Sequence, residues 1–106
     1  MASPDKIWLE AERTLKQGKP FALATVINVR GSTPREVGAK MLVRDDGQVG
    51  TIGGGCGEAE VWQKAMEVLE SGRPEIVQVD LTTPIDGEDK ICGGIMDVFV
   101  ERISRD

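Results

Sequence analysis

The residue best placed to do chemistry is Cys56, set in Gly53-Gly54-Gly55-Cys56-Gly57 and followed by Glu58. Consecutive glycines lose much backbone entropy on folding, so they suit places where positive φ is needed or where a ligand lies against bare backbone. A helix opening after the loop would present amides with no intrahelical partner, and these favour negative charge. A thiol held there leans toward thiolate, a nucleophile and a soft metal ligand. The same residues also fit a tight turn around a small buried cysteine. A second thiol, Cys92, precedes Gly93-Gly94, and a glycine-flanked cysteine at both places implies close backbone approach at both.

Further donors lie in residues 30–38, a shaped loop with glycine near each end, a proline and two arginines. Ser32 and Thr33 offer hydroxyls there, and the Arg35 guanidinium can fork onto a phosphate or carboxylate. As a bare composition the segment reads equally as a polar turn with a solvated arginine. It is not a P-loop, because the G-x-x-x-x-G-K-[ST] spacing is missing. Glu58 has two readings of its own. It complements a helix dipole, or it serves a ligand as acid or hydrogen-bond acceptor.

The elements that must position these residues follow from pattern. Ser3-Pro4-Asp5 is a helix start, and Ile7, Trp8, Ala11 and Leu15 recur at helical spacing until Gly18 and Pro20 close the element; Trp8 is expected as a core anchor. Residues 21–29 are apolar and β-branched enough for a strand covered on both faces and central in its sheet. Residues 39–44 and 48–52 form a hairpin across Asp45-Asp46-Gly47, and that hairpin delivers the chain into the glycine loop. Val61, Trp62, Ala65, Met66 and Leu69 mark the apolar side of a second helix, ended by Ser71-Gly72 and Pro74. Alternation over 75–81 and 95–103 gives two more strands. The intervening residues 82–90 carry Asp86, Glu88 and Asp89 without the calcium-loop pattern, and read as a solvated loop. The expected fold is α/β: a mixed β-sheet of about five strands with two helices packed on it, in one small domain. Residues 48–81 would form a right-handed crossover if their two strands paired in parallel.

Bulk properties narrow the function classes. A chain of 106 residues suits one domain. Its net charge of -5 disfavours nucleic acid or an anionic membrane as the main partner. With no histidine, His-dependent triads and the common His-ligated metal sites are excluded within the chain, and two cysteines without CxxC spacing make neither a zinc knuckle nor a disulfide framework. The longest apolar run is far below a membrane span and no signal-peptide stretch opens the sequence, so the expected location is cytoplasmic with both thiols reduced.

Four spaced motifs in order carry a resemblance to a known family. They are Ala24-Thr25-Val26 leading to Gly31-Ser32-Thr33-Pro34-Arg35, then Gly38-Ala39-Lys40-Met41, then Asp46-Gly47 with Gly50-Thr51-Ile52-Gly53-Gly54-Gly55-Cys56-Gly57-Glu58, and finally Cys92-Gly93-Gly94. In these the chain resembles the N-terminal domain of the XdhC/CoxI family, accessory proteins for maturation of xanthine dehydrogenase and related molybdenum hydroxylases. The resemblance implies binding of the molybdenum cofactor (molybdopterin) as cargo, its protection while an oxo ligand is exchanged for sulfido, and its delivery to an apo hydroxylase. It implies a cysteine desulfurase as sulfur donor, and a homodimer, which the exposed edges of so small a sheet would accommodate. Gly53, Gly54, Gly55 and Gly57 would then cradle the anionic cofactor with Ser32, Arg35 and Glu58. Cys56 would contact the metal head, and Cys92 is the second candidate. The expected role is that of a cofactor-binding maturation factor without turnover of its own.

The sequence departs from the family pattern twice. Members continue into a second, Rossmann-like domain whereas this sequence ends at Asp106, so a short stand-alone member or a separate partner chain supplying the C-terminal domain is expected; and Gly57 stands where the motif has a larger apolar residue. Two other readings stay open. The strand, Gly53-x-Gly55 loop and helix leading toward Asp80 imitate an NAD(P)-binding fingerprint, with Glu58 at the third glycine position. Cys56 and Cys92 would make a thiol-redox pair if their Cα atoms lay within about 7 Å.

Overall fold

The structure is a computed structural model that describes residues 4–33, 35–52, 57–82 and 93–105. In chain order it comprises α1 (Pro4–Lys16), β1 (Phe21–Gly31), β2 (Lys40–Arg44), β3 (Gly47–Gly50), α2 (Glu58–Ser71), β4 (Glu75–Asp80) and β5 (Gly94–Ile103). Five strands and two helices are thus as the patterns predict. The capping role expected of Ser3 lies outside the described residues.

The strands form one sheet in the order β3-β2-β1-β5-β4, and every pairing is antiparallel. The expected mixed sheet is therefore antiparallel instead, and the crossover condition is not met, because β3 and β4 lie at opposite edges. The reason is β5. It alternates Met96, Val98 and Val100 inward and pairs along nearly its whole length with β1, so it takes the place beside the central strand and leaves β4 outside it. Between Val26 and Asn28 the register shifts at a bulge.

β1 is central and covered on both faces over its first half. Ala22, Ala24 and Val26 join Met41, Val43, Ile52, Val79, Met96 and Val98 beneath Val61, Ala65 and Val68 of α2. On the opposite face Phe21, Leu23 and Leu42 pack against Ile7 and Ala11 of α1. Trp8 is a correction. It is 50% exposed, with the Lys40 ammonium 5.8 Å from its ring centre, because Ile7, Ala11 and the buried Thr14 define the inward stripe of α1 and Trp8 stands beside it. α1 is held to the hairpin by Arg44, whose Nη1 donates to Thr14 Oγ1 at 3.0 Å and to Glu10 Oε2 at 3.3 Å.

Antiparallel pairing has a consequence for the motifs. The C-terminal ends of β1, β3 and β4, the N-terminal ends of β2 and β5, and the start of α2 all lie at one end of the sheet. The connections after β1, after β3 and after β4 therefore leave from that same end.

Candidate functional site

Gly53, Gly54, Gly55, Cys56 and Cys92 lie outside the described residues, as do Asp86, Glu88 and Asp89. Their flanks are described, and these converge. Gly57 is the N-cap of α2 in the left-handed region at φ 69°, and a Cβ there would overlap Cγ1 of Val79 and lie 3.4 Å from Cδ2 of Leu81. Leu81 in turn donates its N–H to the Gly94 carbonyl at 2.8 Å and accepts from the Gly93 N–H at 2.9 Å. Gly94 pairs with Gly31, and a Cβ on Gly94 would overlap the Ser32 carbonyl. So the chain segments next to Cys56, Cys92 and Arg35 are joined through one buried leucine and a set of glycines.

The larger apolar residue that the family motif leads one to expect at position 57 does not fit here. Positive φ and the Val79 side chain both require glycine.

Glu58 has definite partners. Gln48 Nε2 of β3 donates to its Oε1 at 2.7 Å, and Thr51 Oγ1 donates to its Oε2. The carboxylate therefore ties the residue entering the glycine loop to the residue leaving it, in addition to complementing the α2 dipole with Glu60. Neither Gln48 nor Thr51 stands out by sequence pattern. The available signal was a hydroxyl just before the loop and a carboxylate just after it. No side chain among the described residues caps α2, which leaves its first amides for other acceptors.

Ser32 is exposed, Arg35 is half-buried, and Thr33 Oγ1 donates to the Arg35 carbonyl at 2.8 Å, which shapes the loop that carries the guanidinium. Beside Glu58 opens a depression of about 380 Å³ lined by Gln48, Glu58, Ala59 and Trp62. A second depression of about 430 Å³ on the α1 side of β3 contains Glu10 and Arg44, whose charges pair with each other. Among the described residues no group of three or more acidic or cysteine side chains makes a metal cluster, and no helix is long and apolar enough to cross a membrane.

With the three loops at one end of an antiparallel sheet, comparison with known proteins is decisive. The family model described as "XdhC and CoxI family" matches residues 14–80. The chain belongs to the XdhC and CoxI family.

Relatives within it include the Escherichia coli K12 molybdenum cofactor insertion chaperone PaoD, 36% identical over 85 residues that cover 79% of this chain and 27% of PaoD. A probable xanthine dehydrogenase component of Bacillus subtilis 168 is 31% identical over 96 residues, covering 87% of this chain and 29% of that protein. The E. coli K12 uncharacterized protein YqeB is 41% identical over 98 residues, covering 89% and 18%. Among solved structures, that of a xanthine dehydrogenase from Bacillus halodurans superposes with a TM-score of 0.73 at 36% identity, covering 89% of this chain and 30% of that one. The chain thus spans less than a third of the length of each of these relatives.

Family membership and topology together remove the dinucleotide reading. A nucleotide fingerprint needs a parallel βαβ unit at the glycine loop, whereas β3 and β4, on either side of α2, are opposite antiparallel edges. The thiol-pair reading concerns residues outside those described.

Proposed function

We propose that this chain is a carrier domain for the molybdenum cofactor in maturation of a xanthine-dehydrogenase-type hydroxylase, and that it works by binding its cargo and not by turnover. The observation that supports this most is the convergence of the Gly31–Arg35, Gly53–Glu58 and Cys92–Gly94 motifs at one end of the sheet, in a chain 36% identical to a molybdenum cofactor insertion chaperone.

The cargo's chemistry fits the donor set. Molybdopterin carries a phosphate, a metal-dithiolene head and a pterin ring. Cys56 supplies a soft sulfur to the metal head, and Cys92 approaches the same region as a second thiol. Gly53, Gly54, Gly55 and Gly57 let the cargo lie against backbone, and Ser32 with Arg35 receives the phosphate. Glu58 holds the loop ends together through Gln48 and Thr51, so that the loop keeps its shape when cargo leaves.

An apo hydroxylase is the recipient, and a cysteine desulfurase supplies sulfur while the cargo is held. The domain acts in the cytoplasm as a homodimer, and a further domain, on the same or a separate chain, completes the carrier. The test is transfer. Reduced protein loaded with cofactor is mixed anaerobically with apo xanthine dehydrogenase and recovered activity is followed against free cofactor. Faster or fuller recovery from the loaded protein is expected; recovery no better than with free cofactor counts against the carrier role.

A further inference from the structure

Trp62 stands apart from the other apolar residues of α2. Val61, Ala65 and Val68 are fully buried, and Met66 and Leu69 pack against the same core, whereas Trp62 is 40% exposed and belongs to neither core cluster. It lies four residues after Glu58, hence on the same flank of the helix one turn on, and the two side chains line the depression beside the glycine loop together with Gln48 and Ala59.

We infer that Trp62 is the platform on which the pterin ring of the cargo stacks, with the Glu58 carboxylate reading the ring's 2-amino-4-oxo edge. The inference rests on the carrier reading and adds to it the residue that recognises the heterocycle. An indole face is a strong and geometry-tolerant stacking surface for a flat heterocycle. The 2-amino-4-oxo edge presents two parallel N–H donors, and a carboxylate accepts such a pair at two points. Glu58 keeps capacity for this. Its two oxygens offer about four acceptor sites, and Gln48 and Thr51 take one on each oxygen.

Charge also decides which end of the cargo faces this depression. Glu58 and Glu60 are both in the first turn of α2, so a phosphate placed there would meet like charge, whereas N–H donors meet acceptors. The phosphate belongs on the Arg35 side. A partly exposed indole on a helix flank is otherwise ordinary; its place in one depression with the carboxylate next to the loop is what points to a ligand.

The chain has only two tryptophans, so the replacement Trp8→Phe leaves Trp62 as the sole indole emitter. Reduced Trp8→Phe protein is titrated anaerobically with metal-free molybdopterin, and separately with inorganic phosphate. Saturable quenching by the pterin and none by phosphate is expected. In equilibrium dialysis with the full cofactor, Trp62→Ala weakens binding about tenfold and Trp62→Phe stays within about threefold of wild type, since phenylalanine restores a ring face. Equal affinity of wild type and Trp62→Ala for the cofactor overturns the inference and leaves the carrier reading standing. Failure of the wild-type protein to bind cofactor at all overturns both.

Discussion

Gly31 and Gly93 approach so closely that a Cβ on Gly31 would lie 2.9 Å from the Gly93 carbonyl oxygen. This contact joins the connection that carries Arg35 to the one that carries Cys92, at the place where β1 and β5 end their pairing at Gly31 and Gly94. Gly31 also has φ 74°, so a side chain there is opposed twice, by the backbone conformation and by a carbonyl that cannot step aside. The replacement Gly31→Ala is expected to cost about 2 to 3 kcal/mol, read as a lower urea midpoint at unchanged slope. Gly38→Ala is the control. Its φ is 97° but nothing lies within 4 Å, so only the conformational cost of about 1 kcal/mol remains. Equal effects at the two positions would show that the close approach contributes nothing.

At Gly57 the neighbour is a side chain. Gly57→Val adds a β-branched group at φ 69° against Val79, and about 3 kcal/mol of destabilisation is expected from strain and overpacking together. Partial recovery in the double variant with Val79→Ala, measured by the same denaturation, would confirm the contact, and strictly additive losses would contradict it.

The clamp of α1 to the hairpin predicts a further loss. Thr14 is buried, donates to the Glu10 carbonyl at 2.7 Å and accepts from Arg44. Thr14→Val keeps the volume and removes both bonds, leaving the guanidinium short of a partner. About 1 to 2 kcal/mol should be lost in a thermal or urea melt. By contrast Trp8→Phe, at a half-exposed position, should cost less than about 1 kcal/mol.

Asp80 supplies a pH dependence. The Thr82 hydroxyl, and then the Thr82 backbone N–H, donate to its carboxylate and hold its pKa below the ordinary 3.8. A depressed folded pKa stabilises above the unfolded value, and that stabilisation is lost as pH falls through the folded value. Carboxyl chemical shifts followed by NMR should show Asp80 titrating below the other exposed aspartates. Thr82→Ala should move it back up, and no movement would mean that the hydroxyl does not set the shift.

Much of the fold was legible because local pattern and tertiary role agreed. The Asp45-Asp46-Gly47 turn, the Ser71-Gly72 stop and the apolar run from Phe21 each force one local structure, and all three stand where expected. Strand order was not legible. It depends on which of β3 and β5 wins the place beside β1 and β4, a contest settled by long-range pairing that no local window contains. Trp8 and Trp62 were misjudged for a related reason: helical spacing gives a stripe, but its margins are buried only if a strand lies beneath them, and the sheet ends at β3. The glycines of the site were visible as glycines. That Gly57 is demanded by Val79, and Gly31 by Gly93, needed the packing.

The central claim is that the glycine-loop end of the sheet holds the molybdenum cofactor with the help of a thiol. Its most direct test is anaerobic equilibrium binding of the molybdenum cofactor, and separately of its metal-free pterin, to the reduced protein and to Cys56→Ala. The account predicts saturable binding of the metal form that weakens at least about tenfold in Cys56→Ala, with the metal-free form bound about equally by both proteins. Absence of binding, or binding of the metal form with the same affinity in both proteins, would contradict it.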